Sequence, residues 1–542
     1  MVSLLCLPTE VITRVFCFLS PKELASCASL SRQFLTIIKT SSILTYALEL
    51  KKAGLNDTYH LNLDLFDNSP SELLAALRRR EQAWSTFNWT KQWDVPVEKV
   101  YNNSEICGPV FIGGYTRQGR GIDTIDVYNF HDINTNGLVT TLFLDAPYYG
   151  YAIDAGQDLL VLIERYTFES PYYKLQLRKL STGLEYDHIE IAKSIISLKI
   201  SSPDRWRSSR SNIQIFGYSL FLDVRLDQSS DMLYLGVSDT SPGRWTMISE
   251  TEVLFVGYGE NVPLLKYYTA NSFSPNSGKL EEDGPSLDAD GSDAKSSGDL
   301  GQVIFRLPFR NNPNAGLART WVIGLMSSEA SFTPKPFSPF VTPTTFVYPP
   351  KSQIIGIKFQ NAEASQSVFY DTDPRRFRGV KFEMFIHLDL LRNFKNEVSS
   401  ISSSRHPAGI FAIPEVPWHA WGPSITRVFE DNYDGKWSRR CIRGYRVLNP
   451  DAESETPDEP VNYTILDFNV NSSIRDPYEL MTCDGTEITS SLPFRRIDIP
   501  FSRYIEDGES NGLGIKTWDP DIFLGDDIIC YLPIYKELDK HS

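Results

Sequence analysis

The feature that most limits what this chain can become is a change of hydrophobic period near residue 95. Before it, apolar residues recur at helical spacing. Val11, Ile12, Val15, Phe16 and Leu19 stand at i, i+1, i+4, i+5 and i+8, which share a face at about 3.6 residues per turn. After it, the apolar runs are short, aromatic and β-branched, with turn residues between them. The pattern calls for a small helical part followed by a large β part.

Helix punctuation in the first part is unusually complete. Ser20-Pro21-Lys22-Glu23 offers a Ser cap, Pro at the first helical position and a Glu three residues on, and Ser69-Pro70-Ser71-Glu72 repeats the arrangement. Ser41 or Ser42 can cap a segment that Gly54 stops. These signals predict helices over 8–19, 21–29, 31–39, 42–53 and 70–84.

Strands are expected at 109–114, 122–130, 158–166, 172–180 and 212–224. More are expected near 252–257, 303–307, 353–359, 381–388, 441–448, 463–470, 492–501 and 522–534. So many antiparallel strands leave edges that must be paired or hidden, and closure into a β-propeller does this. At roughly 40 to 50 residues per blade, six to eight blades fit. Residues 271–300 carry seven acidic and two basic side chains and only Phe273 as an aromatic, so they are expected to form a disordered acidic insertion. Ser402 to Pro407 and Asp451 to Glu459 are shorter stretches of the same kind.

With 41% apolar and 22% charged residues the chain has a globular composition. The net charge is −15 and is uneven: residues 1–95 are nearly neutral, whereas residues 96–542 hold 43 Lys and Arg against 59 Asp and Glu. Such a field disfavours a nucleic-acid backbone as partner. No run approaches about 18 apolar residues, so no membrane span is expected. The first twenty residues lack a basic start and contain Glu10 and Arg14, unlike a secretory signal. Seven cysteines without a CxxC pair suit reduced thiols in the cytoplasm or nucleus.

Motifs that suggest chemistry fail on context. Gly508-Glu509-Ser510-Asn511-Gly512 matches a nucleophile elbow but lacks the preceding apolar strand and following helix. The glycines at 108, 113, 114, 119 and 121 sit in a hairpin-like stretch without GK[ST]. Asp288, Asp290 and Asp293 begin like a calcium loop that no Glu closes. Arg375-Arg376-Phe377-Arg378 with Lys381 reads as a surface strand, and Arg78-Arg79-Arg80 as a solvated helix face. No catalytic residue, cofactor or metal site is nominated, and the chain is expected not to be an enzyme.

Residues 7–38, LPTEVITRVFCFLSPKELASCASLSRQFLTII, resemble an F-box. They have the Leu-Pro-x-Glu opening, the apolar pairs Val11-Ile12 and Val15-Phe16, then Leu19, Ser20-Pro21 and Leu24, and they close on Leu30 and Phe34. The remainder resembles the F-box proteins of mushroom-forming fungi, with a β-propeller-like domain. The phrases that carry this are Gln157 to Leu162, Trp418-His419-Ala420-Trp421-Gly422-Pro423, Asp467-Phe468-Asn469 and Leu492-Pro493-Phe494-Arg495.

This resemblance implies the substrate receptor of an SCF-type cullin-RING ubiquitin ligase. It would bind the Skp-family adaptor through Leu7, Pro8, Val11, Ile12, Val15, Phe16, Leu19, Leu24, Leu30 and Phe34, and a protein target through the β domain. The expected division is an F-box at 1–40, a helical neck at 41–95 and the propeller-like domain at 96–542. Trp84, Trp89 and Trp93 are expected to seat the neck on the propeller. The competing reading is a carbohydrate-binding or hydrolytic β domain with a merely structural helical module.

Overall fold

In the computed structural model the described residues are 6–57, 69–86, 101, 103–117, 121–130, 138–164, 172–186, 195–199, 210–216, 219–225, 244–249, 252–259, 262–270, 300–308, 319–327, 339–340, 346–347, 353–362, 379–403, 415–431, 442–451, 462–469, 478–481, 487–499, 517–524 and 529–535. Residues 271–299 of the acidic insertion, Trp89, Trp93, Arg375 to Arg378 and the Gly508 to Gly512 segment lie outside them.

The five expected helices are present as α1 (Thr9–Phe16), α2 (Pro21–Leu30), α3 (Arg32–Thr40), α4 (Ser42–Lys52) and α5 (Pro70–Thr86). Their caps form as the sequence implies. At Ser20 the backbone N–H donates to the Glu23 carboxylate (2.7 Å) and the Glu23 N–H donates back to Ser20 Oγ (3.4 Å). Ser69 and Glu72 repeat this pairing. Gly54 ends the α4 segment at φ +69°, a conformation that glycine adopts without strain.

Beyond the helices, antiparallel meanders follow one another. The first sheet has seven sequential strands from Asn103–Cys107 to Ile195–Lys199. It is two four-stranded meanders sharing the long strand Leu138–Asp154, whose first half pairs with Ile122–Asn129 and whose second half pairs with Leu159–Glu164. The hairpin Arg210–Phe216 with Ser219–Arg225 comes next. It is followed by meanders beginning at Arg244–Ser249, Arg319–Ser327 and Ile442–Arg443.

Among the described residues, the leading strands of these sheets abut in chain order. Asn103–Cys107 packs on Leu138–Asp154, that strand on Arg210–Phe216, and so on through Arg244–Ser249 and Arg319–Ser327 to Ile442–Arg443. Burial pushes the Cys107 thiol well up, Asp154 adds to the effect, and the charge of Arg443 opposes it. Sequential antiparallel meanders whose first strands abut one after another, as here, are the arrangement of propeller blades.

The β part also contains two helices absent from the sequence expectation, α6 (Leu388–Ser403) and α7 (Trp418–Ile425). Leu388 and Leu391 of α6 and Trp421 and Ile425 of α7 are buried in the core between the meanders that start at Arg244 and Arg319. The Trp421 ring meets Phe305 at a tilt (5.1 Å between centroids) and Trp418 edge to face (5.2 Å), and its indole N–H donates to the Arg306 carbonyl. Gly422 is obligatory there, because a Cβ would fall 2.2 Å from the Trp418 ring.

The neck is built into the β part. Tyr46, Leu50, Leu55, Leu73, Leu74 and Leu77 share one buried cluster with Ile354, Phe385, Ile442, Tyr445, Leu466 and Phe468. Asn56–Asp57 pairs with Phe346–Val347, and Asn469 Nδ2 donates to the Lys52 carbonyl (2.7 Å) at the end of α4. The Arg446 guanidinium lies over the Trp84 ring (4.4 Å) and reaches Glu81 and Asp467. The arginine run is therefore more than a solvated face: Arg78 pairs with Glu49 of α4, and the largely buried Arg80 pairs with Glu81.

In the same cluster region His387 is buried, with neither ring nitrogen hydrogen-bonded. Its ring lies 5.1 Å from that of Tyr445, whose hydroxyl donates to Asp389 (3.1 Å). Burial lowers the His387 pKa to about 4, against the opposing pull of Asp389. The unfolded chain, with an ordinary histidine pKa near 6.5, binds the proton first, so stability falls as pH drops from about 6.5 through 4. Thermal melts should show this decline, and His387→Leu should flatten it over that window.

Candidate adaptor-binding surface

Helices α1 to α3 enclose a small core of Ile12, Phe16, Leu24, Phe34, Ile37 and Ile38, which Leu44 of α4 completes. Phe16 and Phe34 meet edge to face at 5.2 Å. This divides the ten residues proposed from sequence. Ile12, Phe16, Leu24 and Phe34 are interior and hold the helices together, while Leu7 and Leu19 pack on the rim of that core.

Pro8, Val11, Val15 and Leu30 are exposed. The geometry follows from the helix: Val11 and Val15 are four residues apart and so stand on one face of α1, rotated about 100° from Ile12 and Phe16. Phe18, just past the end of α1, was not among the sequence candidates. Its side chain is 86% exposed, ahead of Leu30 at 76%. Its place in the sequence, two residues past the buried Phe16 and outside the i, i+4 stripe, is the signal that marks it.

Exposed large apolar residues are concentrated here. Of the eight such residues among those described, Val11, Val15, Phe18, Leu30 and Ile43 belong to the first four helices or the turn after α1, and only Phe143, Tyr149 and Leu184 lie elsewhere. The polar surroundings are ordinary. Glu23 is held below the usual carboxylate range by the Ser20 backbone N–H and hydroxyl, which is its capping role. Cys6 and Cys17 are exposed thiols and Cys27 is half-buried; partial burial raises the Cys17 pKa, away from thiolate chemistry.

Elsewhere, Gly108 sits at φ +58° in the two-residue turn between Asn103–Cys107 and Val110–Tyr115, so the glycine stretch there serves a hairpin. Among the described residues, no group of His, Cys, Asp and Glu side chains is arranged to hold a metal ion. No helix there is long and apolar enough to cross a membrane.

Comparison with known proteins gives one sequence match, to the F-box domain, over residues 4–46. No curated protein sequence matches the chain. Solved structures similar to it include the WD40 domain of SCAP from fission yeast, at 9% identity over 74% of this chain and 89% of that one, with a TM-score of 0.27. Another is Kluyveromyces lactis Hsv2p, at 9% identity over 74% of this chain and all of that one, with a TM-score of 0.25. The propeller assignment stands on the strand order described above and not on these superpositions. The apolar surface of α1 and α2 lies within the matched segment, and residues 4–46 are an F-box domain.

Proposed function

We propose that this protein is the non-catalytic substrate receptor of an SCF-type ubiquitin ligase. The F-box docks on the Skp-family adaptor, and through it on the cullin-RING complex, while the propeller binds a protein target. The observation that carries the reading is the concentration of exposed apolar side chains inside the F-box, on a surface that no described residue of the chain covers. Pro8, Val11, Val15, Phe18 and Leu30 form the proposed contact set, with Leu7 and Leu19 at its edge. The 1–40, 41–95 and 96–542 division and a mushroom-type fungal origin belong to the same proposal.

The test is titration of the purified chain with the adaptor. Burying a large apolar side chain is worth about 1.5 to 3 kcal/mol, and placing a charge in a desolvated interface costs more. Val15→Asp combined with Phe18→Asp should therefore weaken adaptor binding by about 100-fold or more, with helical content retained because both residues are exposed. Unchanged affinity in a folded double variant would refute the adaptor assignment. Proteins that copurify with the chain irrespective of these substitutions are the candidates for the target.

A further inference from the structure

The helix α4 belongs to two cores at once. Leu44 and Leu48, four residues apart, pack into the F-box core. Tyr46 and Leu50, also four apart but offset by two residues, and so by about 200° around the helix, are buried in the neck cluster with Ile354, Tyr445 and Phe468 of the propeller. Eleven residues thus carry opposite faces of one helix into the F-box and the β part.

Its two ends are fixed to different partners. Near the first turn, the Thr45 hydroxyl donates to the Ile38 carbonyl of α3 (3.1 Å). At the last turn the Lys52 carbonyl accepts from Asn469, and Gly54 lies against the Tyr445 ring so closely that a Cβ would fall 2.4 Å away.

We propose that α4 couples the two halves energetically, so that opening of the F-box loosens the joint with the propeller and adaptor docking tightens it. The physical basis is size. A three-helix unit with a handful of buried side chains is marginal by itself and opens often. When it opens, Leu44 and Leu48 lose their partners and the first half of α4 frays. A helix this short does not hold its second half alone, so Tyr46 and Leu50 are released from the neck cluster with it. A ligand that binds only the closed F-box suppresses this sequence and protects the joint as well. The adaptor-dependent half of the inference rests on the proposed function; the coupling itself does not.

Hydrogen exchange on the full chain decides it. The joint is read from the amides of Leu55, Ile354 and Phe468, which donate to Leu50, Gly444 and Tyr445. The F-box is read from Leu24 and Leu35, and a remote site from Leu180, which donates to Asp158. Without adaptor, Phe34→Ala should speed exchange at both the F-box and the joint by at least tenfold and leave Leu180 unchanged. Should that variant fail to fold, Phe34→Leu should give the same pattern at smaller amplitude. Acceleration confined to the F-box amides would overturn the coupling.

With saturating adaptor, wild-type exchange should slow at least fivefold in both places. Slowing only in the F-box would likewise overturn the proposal. An adaptor that protects neither site would count against the receptor function, while the substitution arm would still decide the coupling.

Discussion

Residues 96–542 expressed alone should fail to give a soluble, folded monomer, whereas the full chain should fold. The change of period near residue 95 suggests a seam, but neck residues on its helical side are packed into the β part. Tyr46, Leu50, Leu55, Leu73, Leu74 and Leu77 lie on the helical side of that cut and complete the cluster around Ile442, Tyr445 and Phe468. Six large apolar side chains at about 1.5 to 3 kcal/mol each amount to roughly 10 kcal/mol or more, the size of a whole domain's stability. Their removal also exposes Ile354, Phe385 and Leu466 and frees the Arg446 guanidinium from Trp84 and Glu81. Size-exclusion chromatography and circular dichroism of the fragment and the full chain check this. A monodisperse, cooperatively melting 96–542 fragment would show that the neck is dispensable to the propeller.

Phe16→Asp should abolish adaptor binding for a reason different from that of the exposed variants. Phe16 is 1% exposed and packed on Phe34, so the new carboxylate has no water and no cation to face. The cost of several kcal/mol exceeds what seven buried residues can hold, and helices α1 to α3 should unfold. Loss of helical circular dichroism would accompany the loss of binding, whereas Val15→Asp and Phe18→Asp should lose binding with the helical signal intact. Retained helicity in Phe16→Asp would mean that this side chain is free to leave the core.

The two variants also show what the sequence could and could not disclose. The stripe of α1 is plain in the spacing of Val11, Ile12, Val15 and Phe16, yet the two members of each pair are about 100° apart, and only the placement of α2 and α3 decides which is interior. Caps at Ser20, Ser69 and Gly54 were legible because they are local chemistry. Helix α6 was not, although Leu388, Leu391, Phe394 and Val398 are spaced for it, because it continues from the strand Gly379–His387 with no cap or breaker between them. Helix α7 hides behind Gly422 and Pro423, residues that argue against a helix, and is held by the burial of Trp421. The strand Leu138–Asp154 was masked by Pro147, which reads as a turn.

The neck cluster imposes an order on synthesis. Leu73, Leu74 and Leu77 leave the ribosome early, but their partners Ile442, Tyr445, Leu466 and Phe468 lie more than 360 residues downstream. At about 5 to 20 residues per second, the apolar face of α5 waits roughly 20 to 70 s for its other half. Throughout that interval the nascent chain presents an uncovered greasy surface beside an F-box whose α4 is held on one side only. Chaperone engagement during translation, and dependence on it, should therefore centre on residues 46–77 and end only when the last blades have emerged.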